Sequence, residues 1–273
     1  MRRTLQGTSR QEIEVYNFIQ RCLPGIRVLK NDRTVLKGKE LDIYVPSLKL
    51  AIEFNGLFYH NSSKRADPFY HLQKSVNCER KGIRLIQIMS DEWEQKKALV
   101  LDLIRHSIGA YEHLDASQCK LELMNEKEGK AFFNGNHLLG DDKRSEFYIG
   151  LSFDRSILFC AGFKKEKNNL IMTRFGDRKG YHVKNGLQTV INYIQEEYKM
   201  PVTTSIDRRL YSANELKLVG FREVQPTNPN VTITKDFKKR IPIENMKRFN
   251  ESELEKKGYY KVYDCGERRF IKE

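Results

Sequence analysis

Little in this sequence is typical of a membrane or secreted protein. No uninterrupted apolar run approaches the roughly 18 residues that a membrane-spanning helix needs. Residues 1–7 include arginines but no apolar segment after them, so we expect no signal peptide. The five cysteines are scattered and no two have Cys-x-x-Cys spacing, which indicates reduced thiols, argues against a cysteine zinc cluster and predicts a cytoplasmic protein. The sequence also lacks internal repeats, heptads and low-complexity tracts.

The composition is that of a folded, basic protein. Of the 273 residues, 39% are hydrophobic and 11% are aromatic, which is enough to build a buried core. The formal net charge is +13 and the pI is near 9.4. This excess of positive charge favours a polyanionic partner, although many basic proteins bind no nucleic acid.

Hydrophobic periodicity predicts an α/β protein of two domains, over residues 1–110 and 118–273. The first has the order αβββαβ followed by a further helix, which implies a mixed sheet flanked by helices. The second is an α+β domain. Elements predicted for the first domain are helices over 9–22, 68–81 and 91–106 and strands over 26–29, 41–45, 50–54 and 83–89. Elements predicted for the second are strands over 120–124, 147–153, 156–163, 169–175, 202–206, 231–237 and two within 259–271, with helices over 126–134, 183–198 and 213–218.

Two acidic residues interrupt neighbouring apolar strands of the first domain. Asp42 lies within the alternating stretch 41–45, and Glu53 interrupts the apolar run 50–54. Acidic residues are rare in strands, and a buried charge is costly unless it is paired or bound to a metal. A divalent-metal site with Asp42 and Glu53 as ligands is therefore the leading interpretation. Asn55 projects to the same face as Glu53, and His60 follows within reach.

This set of side chains has the parts that phosphodiester hydrolysis requires. Mg²⁺, with Mn²⁺ as the alternative, prefers carboxylate oxygens and water, and it polarises a phosphate and activates bound water. An imidazole such as that of His60 can transfer a proton near neutral pH. The residues alone thus favour a metal-dependent nuclease.

The order of these motifs resembles the PD-(D/E)XK nuclease superfamily and, more closely, the very-short-patch-repair (Vsr-like) EDxHD homing endonucleases found mainly in phages. The resemblance covers roughly residues 8–108. The stretches that carry it, besides the run from Leu41 to His60 that ends in Gly56-Leu57-Phe58-Tyr59-His60, are Tyr70-His71-Leu72, Lys81-Gly82-Ile83 and Asp91-Glu92-Trp93.

The resemblance implies a role for several side chains. Asp42 would bind the metal, Glu53 would take the place of the second acid, and His60 would be catalytic. A glutamate on the first helix would also belong to the site, with Glu14 the better match and Glu12 the alternative.

The sequence departs from the family at two places. Asn55 stands where the wider superfamily has a lysine, for which Lys74 on the next helix is a substitute. His71 occupies roughly the place of the last acid of the EDxHD pattern, with Asp67 and Asp91 as rivals. These departures affect the scheme of proton transfer more than the metal site.

Structural interpretations of the same residues stay open. Asn55-Gly56 is a favoured hairpin turn, and His60 could be a core histidine. Glu14, His71 and Lys74 could be ordinary helix residues. The ion pairs that would explain the acids are Asp42 with Lys39 or Lys49 and Glu53 with Arg84.

The second domain is weakly similar to GNAT acetyltransferases through Leu216-Lys217-Leu218-Val219-Gly220-Phe221. Those enzymes hold the pyrophosphate of acetyl-CoA on backbone amides at a helix start. The matching place here is residues 178–183, where Tyr181 and His182 would crowd the cofactor. The similarity therefore implies a GNAT-like fold used for DNA contact or target recognition.

The leading hypothesis is a Mg²⁺-dependent, homing-type endonuclease acting on double-stranded DNA, with two chains or two successive nicks needed to cut both strands. The second is a DNA-binding protein whose nuclease site is silent. The third is an acetyltransferase or DNA-modifying enzyme in the second domain.

Overall fold

The computed structural model describes residues 9–64, 67–246 and 250–273. They form a mixed α/β fold that divides into two compact units. Unit 1 contains the described residues of 1–97 together with 208–211 and 228–266, and unit 2 contains 98–207, 212–227 and 267–273. Unit 1 thus includes two segments from beyond residue 118, and the assignment of domains remains a prediction.

The regular elements follow one another in mixed order along the chain. The helices are α1 (Arg10–Cys22), α2 (Tyr70–Glu79), α3 (Ser90–Ser107), α4 (Glu126–Asn136), α5 (Gly186–Tyr198), α6 (Asn214–Leu218) and α7 (Glu251–Lys256). The strands are β1 (Leu29–Leu36), β2 (Lys39–Val45), β3 (Leu50–Asn55), β4 (Arg84–Met89), β5 (Glu112–Asp115), β6 (Lys120–Met124), β7 (Phe147–Phe153), β8 (Ser156–Lys165), β9 (Leu170–Asp177), β10 (Tyr181–Lys184), β11 (Val202–Asp207), β12 (Arg222–Val224), β13 (Val231–Thr234), β14 (Ile241–Pro242), β15 (Tyr260–Tyr263) and β16 (Glu267–Lys272).

The larger sheet of unit 1 has the order β1-β2-β3-β4 and is mixed, as predicted. β2 and β3 are antiparallel, whereas β3 and β4 are parallel and joined through α2. Residues 41, 43 and 45 of β2 are buried and alternate with partly exposed ones, which confirms the predicted pattern. β3 is an inner strand and is buried at every residue except Phe54, so its acidic residue lies in the interior.

The strand predicted over 26–29 is wrong in position. The structure has β1 at Leu29–Leu36, paired antiparallel with β2. Its polar composition concealed it, since an edge strand buries few side chains and here only Leu36 is buried. The other elements of this region follow the prediction within a few residues; Ser9 caps α1 by accepting a hydrogen bond from the Glu12 amide at 3.2 Å.

An ion-pair network holds the two later segments within unit 1. Glu92 of α3 accepts hydrogen bonds from Arg209 at 2.9 and 3.1 Å and from Arg240 at 2.7 Å. Asp91 pairs with Arg240 at 3.0 Å. The backbone amide of Gln87 also donates to the carbonyl of Arg209 at 3.0 Å. Partners so distant in sequence cannot be read from a local pattern.

Unit 2 is built on a seven-stranded sheet of order β12-β16-β11-β9-β8-β7-β6. β9 and β11 are parallel, and their ladder covers only three residue pairs, from Leu170–Val202 to Met172–Thr204. A separate two-stranded sheet pairs β10 with β5 in parallel. The predicted helix over 183–198 therefore begins later, at Gly186, because the preceding residues form β10.

Part of the core of unit 2 lies between α4 and the sheet. Phe132, Phe133, Tyr148 and Cys160 form a buried cluster there. Gly129 of α4 is required by this packing, since a Cβ atom at this position would lie 2.2 Å from the Tyr148 ring. In the described part of the chain, no helix has the length and apolar character that crossing a bilayer demands.

Candidate functional site

The two predicted acids of unit 1 lie together at the carboxyl-terminal end of β3. Beyond the last β2–β3 residue pair, Asp42 accepts a hydrogen bond from the Phe54 amide at 2.8 Å. Glu53 is buried and accepts a hydrogen bond from the buried ammonium of Lys74 on α2. Lys74 therefore joins this site from the neighbouring helix, and the ion pairs considered for Asp42 and for Glu53 with Arg84 do not account for these contacts.

A second row of polar side chains continues the cluster. Asn55 donates to Gln87 at 3.2 Å, and the same Gln87 oxygen lies 2.9 Å from Nδ1 of His71. The rings of His71 and His60 are 5.0 Å apart. We call Asp42, Glu53, Asn55, His60, His71, Lys74 and Gln87 the acid cluster. Six of its seven members were predicted from the sequence.

Gln87 was missed, although it is completely buried at the middle of β4. It also donates to the His71 carbonyl at 2.9 Å, to Ser75 at 2.8 Å and to the Cys265 sulfur at 3.2 Å. A polar residue inside the apolar run 83–89 was the signal that could have identified it.

Burial raises the pKa of both carboxyl groups above its ordinary value. It raises the pKa of Asp42 to about 6, against the opposing hydrogen bond from the Phe54 amide. Burial, reinforced by the charge of Asp42, raises the pKa of Glu53 to about 8 despite the nearby Lys74 ammonium. Near neutral pH the pair thus holds about one negative charge, which the single positive charge of Lys74 balances.

Two oxygen atoms of the cluster are buried without a hydrogen-bond partner among the described residues. They are Oε2 of Glu53 and Oδ1 of Asn55. Each such atom costs about 1–3 kcal/mol relative to a satisfied group. A fold retains this cost most readily where the groups serve a function, and a carboxyl group that titrates near pH 7 can give or take a proton.

The structure does not bring Glu14 into the cluster. Glu14 forms surface ion pairs with Arg10, at 3.1 Å, and with Lys97, and the hydrogen bond from Lys97 lowers its pKa. Glu12, the alternative, is near enough for its charge to raise the pKa of Asp42. Of the rivals to His71, Asp91 is engaged by Arg240 and Asp67 accepts from the Phe69 amide at 2.9 Å, so neither is placed with the acids by these contacts.

Two exposed aromatic residues lie between Asn55 and His60 of the acid cluster in the chain. Phe58 and Tyr59 are 49% and 67% exposed. Phe58 packs edge-on against Phe237 with ring centres 5.3 Å apart, and Phe237 stacks on Tyr260 at 5.4 Å. Lys64 lies 5.7 Å from the Phe58 ring, and the exposed residues Lys235, Lys238 and Lys239 are sequence neighbours of Phe237. We call Phe58, Tyr59, Phe237, Tyr260 and these lysines the aromatic–lysine surface.

The backbone at Phe237 is strained. Its φ is +59°, a left-handed conformation that costs a bulky residue about 1–2 kcal/mol. The Phe237 amide donates to the Thr234 hydroxyl at 3.1 Å, which supports the turn. Strain held at one aromatic side chain of an exposed cluster is a recognised mark of a binding surface.

Comparison with known proteins gives matches among solved structures only: no family model and no curated protein matches the chain. A GNAT family acetyltransferase from Elizabethkingia anophelis with acetyl-CoA bound is 9% identical, and the match covers 57% of this chain and 98% of that one with a TM-score of 0.36. An acetyltransferase from Bacillus subtilis in complex with CoA is 16% identical (56% and 97% covered, TM-score 0.34). The ribosomal-protein-S18-alanine N-acetyltransferase from Escherichia coli is 8% identical (56% and 92% covered, TM-score 0.35).

These matches correct the central prediction from the sequence. They are acetyltransferases of the GNAT type, and they correspond to the carboxyl-terminal part of the chain, so the GNAT-like part of the predicted resemblance is supported. The prediction of a deoxyribonuclease, a homing-type endonuclease hydrolysing phosphodiester bonds, is wrong, as is the prediction of Mg²⁺ or Mn²⁺ as its cofactor. The structure brings six of the seven predicted site residues together and leaves Glu14 out, and the resulting arrangement is not specific to metal-dependent hydrolysis. At identities and TM-scores this low, the matches assign no activity to this chain.

Proposed function

We propose that unit 1 is a DNA-binding module whose aromatic–lysine surface contacts the nucleic acid. The single observation that carries this proposal is the exposed pair Phe58 and Tyr59, in which Phe58 packs against Phe237 and has Lys64 5.7 Å from its ring. Large exposed apolar side chains rimmed by charge are typical of binding surfaces. The net charge of +13 and the five free cysteines fit a polyanionic partner in a reducing compartment such as the cytoplasm.

The two kinds of side chain on this surface have complementary tasks. Lysines contact phosphates and supply affinity that depends on salt. Exposed aromatic rings stack on bases or insert between base steps, and each such contact contributes about 1–3 kcal/mol. Double-stranded DNA with a flexible or unpaired step is therefore the partner that this surface fits best. Two chains acting together as a homodimer on a duplex remain part of this proposal.

The acid cluster supplies a second element of the proposal. Because Asp42 and Glu53 hold a proton near neutral pH, we propose the cluster as a proton-holding site, and its member His60 directly follows Tyr59 of the aromatic–lysine surface in the chain. Its buried, unpartnered oxygens on Glu53 and Asn55 support a functional rather than a purely structural role.

Fluorescence anisotropy with labelled duplexes, one fully paired and one with an unpaired step, tests DNA binding. We expect Phe58→Ala and Tyr59→Ala each to weaken binding about 10- to 100-fold with little change in the salt dependence. Lys64→Gln should instead reduce the slope of log affinity against log salt by about 0.9.

Matched controls lie in unit 2. Leu218 is 84% exposed and Lys167 is exposed, so Leu218→Ala and Lys167→Gln change the same kinds of side chain away from the proposed surface. Absence of saturable binding at low salt, or equal losses in the control variants, would overturn the proposal.

A second candidate function is acyl-CoA binding by unit 2, and the short β9–β11 ladder favours it. Both strands continue past the three paired residues, so they part and offer backbone groups to an amide-bearing ligand such as the pantetheine arm. The backbone amides just before α5 are already hydrogen-bonded, which argues against a pyrophosphate-binding site at this helix start. Those of Lys179 and Gly180 donate to Asn136 and Asp102, and that of Val183 donates to Asp177.

Calorimetric titration of the full chain with acetyl-CoA and with CoA tests this second candidate. Saturable binding of either compound supports it. Absence of any binding heat at ligand concentrations up to millimolar would rule out this second candidate. That result would not affect the DNA-binding proposal for unit 1.

A further inference from the structure

Unit 2 contains a compact group of histidine and carboxylate side chains that neither proposed function uses. Nε2 of His106 lies 3.3 Å from Oδ2 of Asp177, and Nδ1 of His182 lies 3.0 Å from the same oxygen. The three donor atoms all fall within 4.8 Å of one another. Oε1 of Glu215 lies 3.8 Å from Nδ1 of His182 and brings a fourth donor to the group.

The four side chains come from four separate elements. His106 stands in the last turn of α3, Asp177 ends β9, His182 lies in β10 and Glu215 is at the start of α6. The chain converges here from positions more than 100 residues apart. Such convergence of two imidazoles and two carboxylates is not produced by a local turn or by one helix face.

The spacing of the donors matches the first shell of a small transition-metal ion. Zn²⁺ binds histidine nitrogen and carboxylate oxygen at about 2.0–2.2 Å in a tetrahedron, which places neighbouring donors roughly 3.3 Å apart. The two shortest separations, 3.0 and 3.3 Å, lie at this value. Glu215 lies outside the group of three: its Oε1 is 3.8 Å from Nδ1 of His182, and its side chain, which is 42% exposed, must move toward the other donors to complete the shell.

The balance of charge also fits a dication. The carboxylate of Asp177 is 9% exposed, and Glu215 adds a second negative charge beside it. Burying carboxylates is costly unless cations compensate them. Two carboxylates, two neutral imidazoles and one divalent ion sum to zero.

Outer contacts orient the group. The second oxygen of Asp177 accepts a hydrogen bond from the Val183 amide at 3.0 Å. The Tyr111 ring stacks on His106 with centres 4.7 Å apart. Asp102, one turn before His106 on α3, accepts from the Gly180 amide at 2.8 Å and so ties α3 to the turn before β10. The hydrogen bond to Asp177 is the kind of outer-shell contact that orients a metal ligand.

We propose that His106, Asp177 and His182, with Glu215 as the fourth ligand, bind one Zn²⁺ ion in unit 2. These four ligands, from β9, β10, α3 and α6, fill all four positions of a tetrahedral ion. The role of the site is therefore structural: the ion holds this end of unit 2 together. The proposal is independent of DNA binding by unit 1.

The test is metal binding by the full-length chain. After removal of metal by a chelator, calorimetry with Zn²⁺ and the visible absorption of the Co²⁺-substituted protein report stoichiometry and geometry. We expect one ion per chain, a tetrahedral Co²⁺ spectrum and a rise in the melting temperature on adding Zn²⁺. Asp177→Asn and His182→Gln should weaken binding by more than about 100-fold, beyond the 10- to 100-fold loss typical of outer-shell changes.

His113→Gln is the matched control, because His113 lies beside His182 in the β5–β10 pair but is outside the group of donors. This variant should keep one ion per chain. His106→Gln guards against misfolding, since His106 is 39% exposed, and circular dichroism without metal verifies the fold of each variant.

Failure of the wild-type chain to bind Zn²⁺ or Co²⁺ would overturn the proposal and leave a hydrogen-bonded histidine–aspartate cluster only. Retention of the ion with unchanged affinity in Asp177→Asn and His182→Gln would overturn it as well. Equal loss in the His113→Gln control would place the ion elsewhere.

Discussion

Two buried glutamates of unit 1 show how partners decide the charge of a carboxyl group. Glu53 and Glu92 are 7% and 8% exposed, so burial disfavours ionisation of both. At Glu92 the charges of Arg209 and Arg240 outweigh burial and lower the pKa to about 2. At Glu53 one lysine faces two acids, and burial raises the pKa to about 8.

The difference separates a structural ion pair from a candidate functional site. The arginines around Glu92 come from the returning segments 208–211 and 228–266 and donate to both carboxylate oxygens, and the Met89 amide donates to one of them as well. Glu53 keeps one oxygen without a partner among the described residues. We infer that Glu92 stabilises unit 1, and that Glu53 is retained at some cost to its stability.

The largest expected effect follows from breaking the Glu92 network. Glu92→Gln removes the negative charge that pairs with the buried guanidinium of Arg209, and breaking a buried ion pair in this way typically costs about 3–5 kcal/mol. Urea unfolding of the full chain at pH 7 measures the change. Glu94→Gln, at an exposed position on the same helix, should shift stability by less than about 0.5 kcal/mol. A loss at Glu92 no greater than this control would contradict the structural role.

Lowering the pH should remove the contribution of Glu92 to the stability of the wild-type chain. Because the folded-state pKa of Glu92 is lowered, its contribution is complete above the ordinary value of about 4.5 and is lost as pH falls toward 2. The shift corresponds to about 3 kcal/mol. Stability measured from pH 5 to pH 2 should therefore decline less steeply in Glu92→Gln than in wild type. Parallel curves would mean that Glu92 does not titrate in this window.

The sequence predicted the acid cluster because its signals are local. Asp42 and Glu53 break apolar strand patterns, and a period of two places Asn55 on the same face as Glu53. Lys74 and His71 were reachable as neighbours on the next helix. What these side chains do could not be derived in the same way, since paired acids, an amide and imidazoles serve several chemistries, and the nuclease function drawn from them was wrong.

The proposed zinc ligands could not be predicted from the sequence, for a different reason. His106, Asp177 and His182 have no characteristic spacing, and only the crossing of α3, β9 and β10 brings them together. Val183 and Lys184 of β10 were predicted as the start of a helix, and His182 was assigned to the stretch before that helix, so its position in a strand was missed. The pairing of Arg209 with Glu92 spans 117 residues and was hidden likewise.

The effect of Glu53 on stability should have the opposite pH dependence to that of Glu92. Since the folded-state pKa of Glu53 is raised, the unfolded chain releases its proton first, and stability falls as pH rises from about 4.5 through 8. We expect a loss on the order of 2 kcal/mol between pH 5 and pH 8, because the coupled pair shares the proton. Glu53→Gln should flatten this dependence. Persistence of the full slope in that variant would assign the titration to another group.

The smallest effect concerns the coupling between the two acids. The charge of Asp42 is the largest of the charges that raise the pKa of Glu53, and the charge of Glu40 contributes less. Asp42→Asn keeps an acceptor for the Phe54 amide but removes the charge, so the pKa of Glu53 should fall by about one unit. Carboxyl ¹³C chemical shifts followed across pH report the titration of Glu53 directly. Glu40→Gln should shift it in the same direction by less, and a larger shift there than in Asp42→Asn would mean that the two buried acids do not share their proton.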